Sequence, residues 1–269
     1  MKDIKKMEEK AKKIRREILI MTTKAGSGHP GGSMSAADLV VALYYGKMRI
    51  NPKNPKSEDR DRFVLSKGHC SPLMYAVLAD LGFFPEPELK NFRKLGSILQ
   101  GHIDIKVPGI EMSAGSLGQG LSFANGIALG ARLDNKKFKI YTMLGDGEMQ
   151  EGQIWEAAMA SSHYNLDNVC AILDNNGLQI DGPNKEVMNV EPVKEKFEAF
   201  GWNTIEIDGH NYKQIFEALS EADKVKGKPT IIIAHTIKGK GVSFMENNVE
   251  FHGKALTEEQ LKQALKELE

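Results

Sequence analysis

Two stretches, FKIYTMLGDG at residues 138–147 and NVCAILDNNG at residues 168–177, decide how this chain folds. Each is a short β-rich apolar run that closes on turn residues, and between them GQIWEAAMASSHY (152–164) has the spacing of a helix. The same alternation continues outward: a helix near Val193 to Phe200, the run NTIEID (203–208), a helix from about Tyr212 to Ala222, and the isoleucine-rich TIIIAHT (230–236). Apolar strands separated by helices imply an α/β fold, a parallel sheet covered by helices on both faces. Ligands of such sheets bind beyond the carboxyl ends of the strands, so the loops after strands are where chemistry is expected.

The first half of the chain reads as more helical: residues 3–23, Ser35 to Tyr45, Pro72 to Leu81, a short helix near Glu86 to Arg93, and Leu117 to Leu133, with glycine-rich loops between. The opening MKDIKKMEEKAKKIRREILIM interleaves charges with Ile and Leu at helical spacing and lacks the continuous apolar core of a signal peptide or membrane span. It is expected to be an amphipathic helix with Lys5 to Arg16 on a solvated face. The closing TEEQLKQALKELE pairs Thr257 with Gln260 at capping-box spacing and reads as a finished terminus. Trp155 and Trp202, in amphipathic or strand-flanking positions, are expected in the core. With no repeat, low-complexity tract or linker, residues 1–269 are expected to form a single domain.

Lys plus Arg and Asp plus Glu balance at 36 each, which argues against a nucleic-acid or membrane-surface binder and favours a small polar ligand. The two cysteines, Cys70 and Cys170, have no paired spacing, so neither a disulfide framework nor a thiolate zinc site is indicated, and a reducing cytoplasm is the expected compartment.

Gly145-Asp146-Gly147 and Asn175-Asn176 are the chemistry-bearing residues of the two deciding stretches. Either motif alone is a turn signal. Together they place a carboxylate and a side-chain amide oxygen at two successive strand ends, and no packing requirement explains that pairing. A hard cation such as Mg²⁺ takes oxygen donors of this kind and completes its shell with ligand phosphates and water.

This arrangement resembles the signature of the thiamine diphosphate enzymes, and in detail that of the transketolases. SGHPGGSMSAADL, FVLSKGHCSPLMYA, GSLGQGLS, GDGEMQEGQIWEA and FHGKAL are similar to transketolase segments in that family's order, from about Ile18 to Leu256. The resemblance implies a diphosphate-binding domain fold, with the metal held by Asp146, the Asn176 side chain and the Leu178 carbonyl. Gly147, His69 and Lys238 would face the diphosphate, and Gly115, Ser116 and Leu117 the aminopyrimidine. Glu151 would reach toward a partner chain's carboxylate. Gly177 and Phe251 depart from the pattern, standing where relatives often carry a longer side chain and a Trp.

Four histidines lie in glycine or proline loops of these motifs. His29, His102 and His252 are expected to act on substrate, with His252 also against the cofactor, because imidazole can donate to sugar hydroxyls and move a proton near neutral pH. His163, His210 and His235 lie outside such motifs and are expected to be structural. The family's cofactor-activating glutamate belongs to a following domain, so the resemblance implies a split enzyme. This chain would be an N-terminal subunit joining a C-terminal subunit with the pyrimidine-binding domain, in an α2β2 hetero-oligomer that acts on sugar phosphates. Two alternatives remain at this point: a chain of the 1-deoxyxylulose-5-phosphate synthase kind, and a non-catalytic cofactor-binding subunit.

Overall fold

The computed structural model describes residues 3–269. Ten α-helices and seven strands follow in chain order among these residues. The first half contains α1 (Ile4–Ala25), α2 (Pro30–Ser35), α3 (Ala37–Ala42), β1 (Arg62–Leu65), α4 (Ser71–Asp80) and α5 (Gln119–Leu133). Then come β2 (Ile140–Gly145), α6 (Gly152–His163), β3 (Val169–Asn175), the two-residue strands β4 (Leu178–Gln179) and β5 (Gly182–Pro183), and α7 (Asn184–Val187). The chain continues with α8 (Val193–Ala199), β6 (Asn203–Asp208), α9 (Tyr212–Lys224), β7 (Thr230–His235) and α10 (Glu258–Glu267).

The main sheet has the order β1-β2-β3-β7-β6, and every pair in it is parallel. Alternation along the strands splits the core into two layers, as period-two side chains must. Phe63, Leu65, Tyr141, Met143, Ile172 and Ile232 pack with residues of α1, α3, α4 and α9. Val64, Ile140, Leu144, Leu173, Ile231 and Ile233 pack with residues of α5, α6 and α8. The connections β2-α6-β3 and β3-α8-β6 run one way across the sheet, and β6-α9-β7 runs back. Right-handed crossovers then put α6 and α8 on one face and α9 on the other, as the two layers require.

Local sequence explains most boundaries. Asp3 caps α1 by accepting from Lys6 N, and Met7, Ala11, Ile14, Ile18 and Met21 form its buried stripe. Thr257 and Gln260 form the expected reciprocal box at the start of α10. Trp202 is buried, and Trp155 is half-buried against Phe197 and Phe200. No helix among the described residues is long and apolar enough to cross a membrane.

Three expectations need correction. The strand β1 lies in a region expected to hold only helices and loops, and it forms one edge of the sheet. The helix expected from Ser35 to Tyr45 is divided at Ala36 and ends in a π-turn over Leu43–Lys47. Arg15, expected on a solvated face, is 6% exposed and donates to the Met34 carbonyl and to Asp38. A guanidinium taken from water is tolerated only where its donors are met, and here two acceptors meet them.

Candidate active site

Four parallel strands deliver their carboxyl ends to one crevice. After β1, Ser66 and Lys67 lead into a 3₁₀ turn, Gly68–Cys70, that carries His69. At the end of β2, Asp146 begins the turn Gly147–Gln150 and accepts from Gly147 N at 2.8 Å. Asn176 follows β3 directly, and Lys238 lies three residues beyond β7. Two further loops close over these ends. His29 precedes α2, and His252 ends the short helix Val249–His252. Glycine at position 31 permits this approach, because a Cβ there would lie 2.7 Å from the Phe251 carbonyl oxygen.

The result is a cavity of about 340 Å³ lined by His29, His69, His102, His252, Gly115, Leu117, Asp146, Gly147, Glu151, Asn176, Leu178 and Lys238. These are all of the residues expected from the sequence except Ser116, which is exposed between two lining residues. A second cavity, about 470 Å³, lies between α1 and residues 86–90. It is lined by Glu17, Lys24, Glu86 and Lys90 with apolar neighbours, and no strand end reaches it. The chemistry therefore points to the first cavity.

The four histidines form a cluster. The His29 ring lies 5.1 Å from His69, 5.8 Å from His102 and 5.7 Å from His252, and His69 stacks on His252 at 5.4 Å. Burial, reinforced by His102, Arg93 and Lys238, pushes His29 down to about 4. Burial, with Lys238, His29 and Lys67, pushes His252 down to about 3. His69 falls well below its ordinary value through burial and Lys67, and His102 falls through burial and Arg93. All four rings are neutral at pH 7, and each offers one donor and one acceptor nitrogen. The Nδ1 atoms of His29 and His252 are buried without a hydrogen-bond partner. Leaving such a group unmet costs about 1–3 kcal/mol.

Other lining groups of the same cavity suit a metal and a diphosphate. Asp146 is 2% exposed, and its second oxygen accepts from Gly177 N. Burial and nearby Asp174 raise its pKa, while these two N–H groups pull the other way. Asn176 Oδ1 accepts from Leu178 N at 3.1 Å, and the Leu178 carbonyl accepts from Lys238 Nζ at 3.0 Å. Burial and Lys67 lower Lys238 to about 8. Carboxylate, amide oxygen and carbonyl are the oxygen donors a hard cation prefers, and the ammonium beside them suits phosphate. Among the described residues no three His, Cys, Asp or Glu side chains converge on one metal position. A cation held by Asp146, Asn176 and Leu178 must complete its shell from ligand phosphates and water. The residues fit magnesium thiamine diphosphate on this chemistry.

Reading the sequence missed several residues that line or support the cavity. Lys67 and Glu148 line it and stand inside motifs already quoted, SKGH and GDGE. Lys67 pairs with Asp174, which also accepts from Ser35 and Thr236. Burial works against both charges, yet mutual attraction holds Lys67 above and Asp174 below its ordinary pKa. An acid closing the apolar run NVCAILD was the available signal. His163 and His235 are exposed. His210 lies outside the cavity lining, and its Nδ1 is 2.7 Å from Asp38. Ile237 N donates to His210 Nε2 at 2.9 Å, so the proton is on Nδ1 and this ring anchors the segment leading to Lys238.

Comparison with known proteins agrees with this geometry. Residues 7–269 match the family model described as "Transketolase, thiamine diphosphate binding domain". The chain is 46% identical over 264 residues to a 6-deoxy-6-sulfo-D-fructose transketolase subunit of Clostridium sp. (strain MSTE9), covering 98% of this chain and 96% of the relative. It is 42% identical to an apulose-4-phosphate transketolase subunit of Phocaeicola vulgatus, covering 98% and 94% of the two. The Campylobacter jejuni transketolase structure superimposes with a TM-score of 0.93 at 38% identity, over 99% of this chain and 43% of that one. The chain thus spans nearly all of the subunit relatives and less than half of the long transketolases. Site chemistry, fold and sequence agree that the chain belongs to the transketolase family and carries its thiamine diphosphate-binding domain.

Proposed function

We propose that this chain is the N-terminal subunit of a two-chain transketolase that moves a two-carbon ketol unit from a ketose phosphate to an aldose phosphate. The observation that carries the reading is one cavity that brings together oxygen donors, Lys238 and four neutral histidines. Asp146, Asn176 and the Leu178 carbonyl would hold Mg²⁺, with Gly147, His69 and Lys238 toward the diphosphate. Gly115 to Leu117 would line the aminopyrimidine side. When bound, thiamine diphosphate supplies the carbanion and electron sink for cleaving and forming the carbon–carbon bond.

The residues of this chain bind, orient and move protons. His29, His102 and His252, neutral at pH 7, can donate to a sugar hydroxyl or carbonyl oxygen and accept a proton at the other nitrogen. His29 and His252 are half-buried, which limits water around them and strengthens those hydrogen bonds, while His102 is exposed at the cavity rim. Glu151 is exposed at the cavity edge, where a carboxylate of a second chain can approach it. The two subunit relatives, matched almost end to end, support a partner chain; we assign the pyrimidine-binding domain to it, in an α2β2 assembly. Two buried free thiols, Cys70 and Cys170, support a reducing, cytoplasmic setting.

The test is a two-carbon transfer assay with xylulose 5-phosphate and ribose 5-phosphate, run on the chain alone and mixed with a candidate partner subunit. Transfer only in the mixture is expected. Substantial transfer by the chain alone would overturn the split reading, and activity confined to pyruvate as donor would move the chain to the synthase class. The sulfonated ketose named for the Clostridium relative carries a tetrahedral anion in place of phosphate, and it makes an informative second donor.

A further inference from the structure

One side chain ties together three of the loops that meet at the cavity, and the reading above gives it no task. Glu148, 2% exposed, follows the Gly145-Asp146-Gly147 turn directly. Its Oε1 accepts from Gly118 N at 2.8 Å and from the Ser66 hydroxyl, and its Oε2 accepts from Gly145 N at 3.0 Å. Ser66 Oγ, itself 1% exposed, accepts from Gly120 N at 3.1 Å. The loop after β1, the loop before α5 and the turn after β2 are thus bonded through a single carboxylate.

The geometry at Gly118 shows how tightly that link is built. Its φ of 84° lies in the left-handed region, and a Cβ there would fall 2.8 Å from Glu151 Cβ. This residue starts α5, and Gly115 and Leu117, which line the cavity, immediately precede it. Gly115 and Ser116 are exposed, so their position depends on where Gly118 is held.

We propose that Glu148 is a positioning residue: its buried carboxylate fixes the Gly115–Leu117 wall against the Asp146–Gly147 turn, so that one rigid cradle spans both ends of a thiamine diphosphate. This rests on the cofactor reading given above. Burial raises the pKa of this carboxyl, while the Ser66 hydroxyl, the Gly118 and Gly145 N–H groups and Lys67 pull the other way. Two fixed backbone N–H groups point at different oxygens of Glu148, so a glutamine must turn its NH₂ toward one of them. Hydrogen bonds to a charged acceptor contribute more than neutral ones, so both links weaken together. Burying a carboxylate is costly unless donors compensate it, and here three do.

The experiment compares the wild-type chain with Glu148→Gln and Ser66→Ala by amide hydrogen exchange, and titrates each with thiamine diphosphate and Mg²⁺ in the presence of the partner subunit. In Glu148→Gln, exchange should quicken at least tenfold at Gly118, Gly120 and Gly145 and stay unchanged along β3 and α9. Cofactor half-saturation should rise about tenfold, while turnover at saturating cofactor falls less than threefold. Ser66→Ala keeps both backbone bonds to Glu148 and should loosen Gly120 alone, which preserves the test if the glutamine variant fails to fold. Unchanged exchange in Glu148→Gln, or unchanged exchange at Gly120 in Ser66→Ala, overturns the clasp. Faster exchange with unchanged half-saturation overturns its role toward the cofactor. Failure of the wild type to bind thiamine diphosphate overturns the underlying reading and the proposal with it.

Discussion

The histidine cluster of the cavity and the buried cluster around Asp38 both contain an imidazole among polar groups and do opposite things. Asp38 accepts from Arg15, from Tyr212 and from His210, whose other nitrogen accepts from Ile237 N. Every polar group there has a partner. Arg15 and His210 hold Asp38 well below the usual carboxylate range although burial alone would raise it. In the cavity the rings touch one another, yet the buried Nδ1 atoms of His29 and His252 have no partner. A satisfied network holds elements together, whereas an unsatisfied one waits for a ligand that supplies the missing bonds.

The sharpest way to break this comparison is to remove Asp38. Asp38→Ala strands the Arg15 charge in the interior, and urea denaturation should register a loss of about 3–5 kcal/mol. Thiamine diphosphate affinity of the fraction still folded should fall less than in Asp146→Ala, since Asp38 reaches the cavity only through His210 and the segment before Lys238. Asp146→Ala is the counterpart at the cavity. Losing a charged acceptor and metal ligand there should weaken Mg²⁺-dependent cofactor binding by about 2–3 kcal/mol, measured by calorimetry of the assembled enzyme. Unchanged affinity in that variant would remove Asp146 from the metal site.

His252→Asn and His102→Ala should each reduce kcat/KM for the ketose phosphate about tenfold or more with cofactor affinity nearly intact. His252→Asn should also leave the melting temperature unchanged or slightly higher, since it removes an unmet buried nitrogen. A large drop in melting temperature would show that this ring is scaffold, like His210.

A pH series separates the clusters with a smaller effect. His29 and His252 have folded values of about 4 and about 3, below the ordinary 6.5. Between these limits the unfolded chain binds protons that the folded chain refuses, so stability is full above about pH 6.5 and declines as pH falls toward 4. Thermal midpoints measured from pH 7.5 to 5 should fall less in the double variant His29→Asn, His252→Asn. Equal slopes would mean that other groups carry the acid sensitivity. The smallest effect is expected at exposed His163, where alanine should stay within about 0.5 kcal/mol of wild type and leave turnover unchanged.

The sequence was most legible where local rules and motif spacing coincide. The stripe of α1, the capping box of α10 and the four longer strands follow from periodicity within one element. The GDG and NN loops follow from their positions at strand ends. The strand β1 escaped notice because four residues between a charged stretch and a glycine turn have too little periodicity to distinguish strand from loop. Sheet pairing with β2 created it. The break at Ala36 was equally hidden: it lies beside the Met34 carbonyl, which accepts from Arg15, a residue on another helix.

What the sequence by itself determined is the α/β class and the parallel sheet, which depend on short-range pattern, and, through motifs that resemble a known family, most of the cavity residues. What only the tertiary structure decided is which polar groups are paired. Glu148 bonds Gly118 thirty residues away, His210 reaches Asp38 across the span from α9 to α3, and His29 Nδ1 meets nothing. A residue's type states which hydrogen bonds it can make, but burial and long-range contact decide which of them are made, and that difference separates scaffold from site.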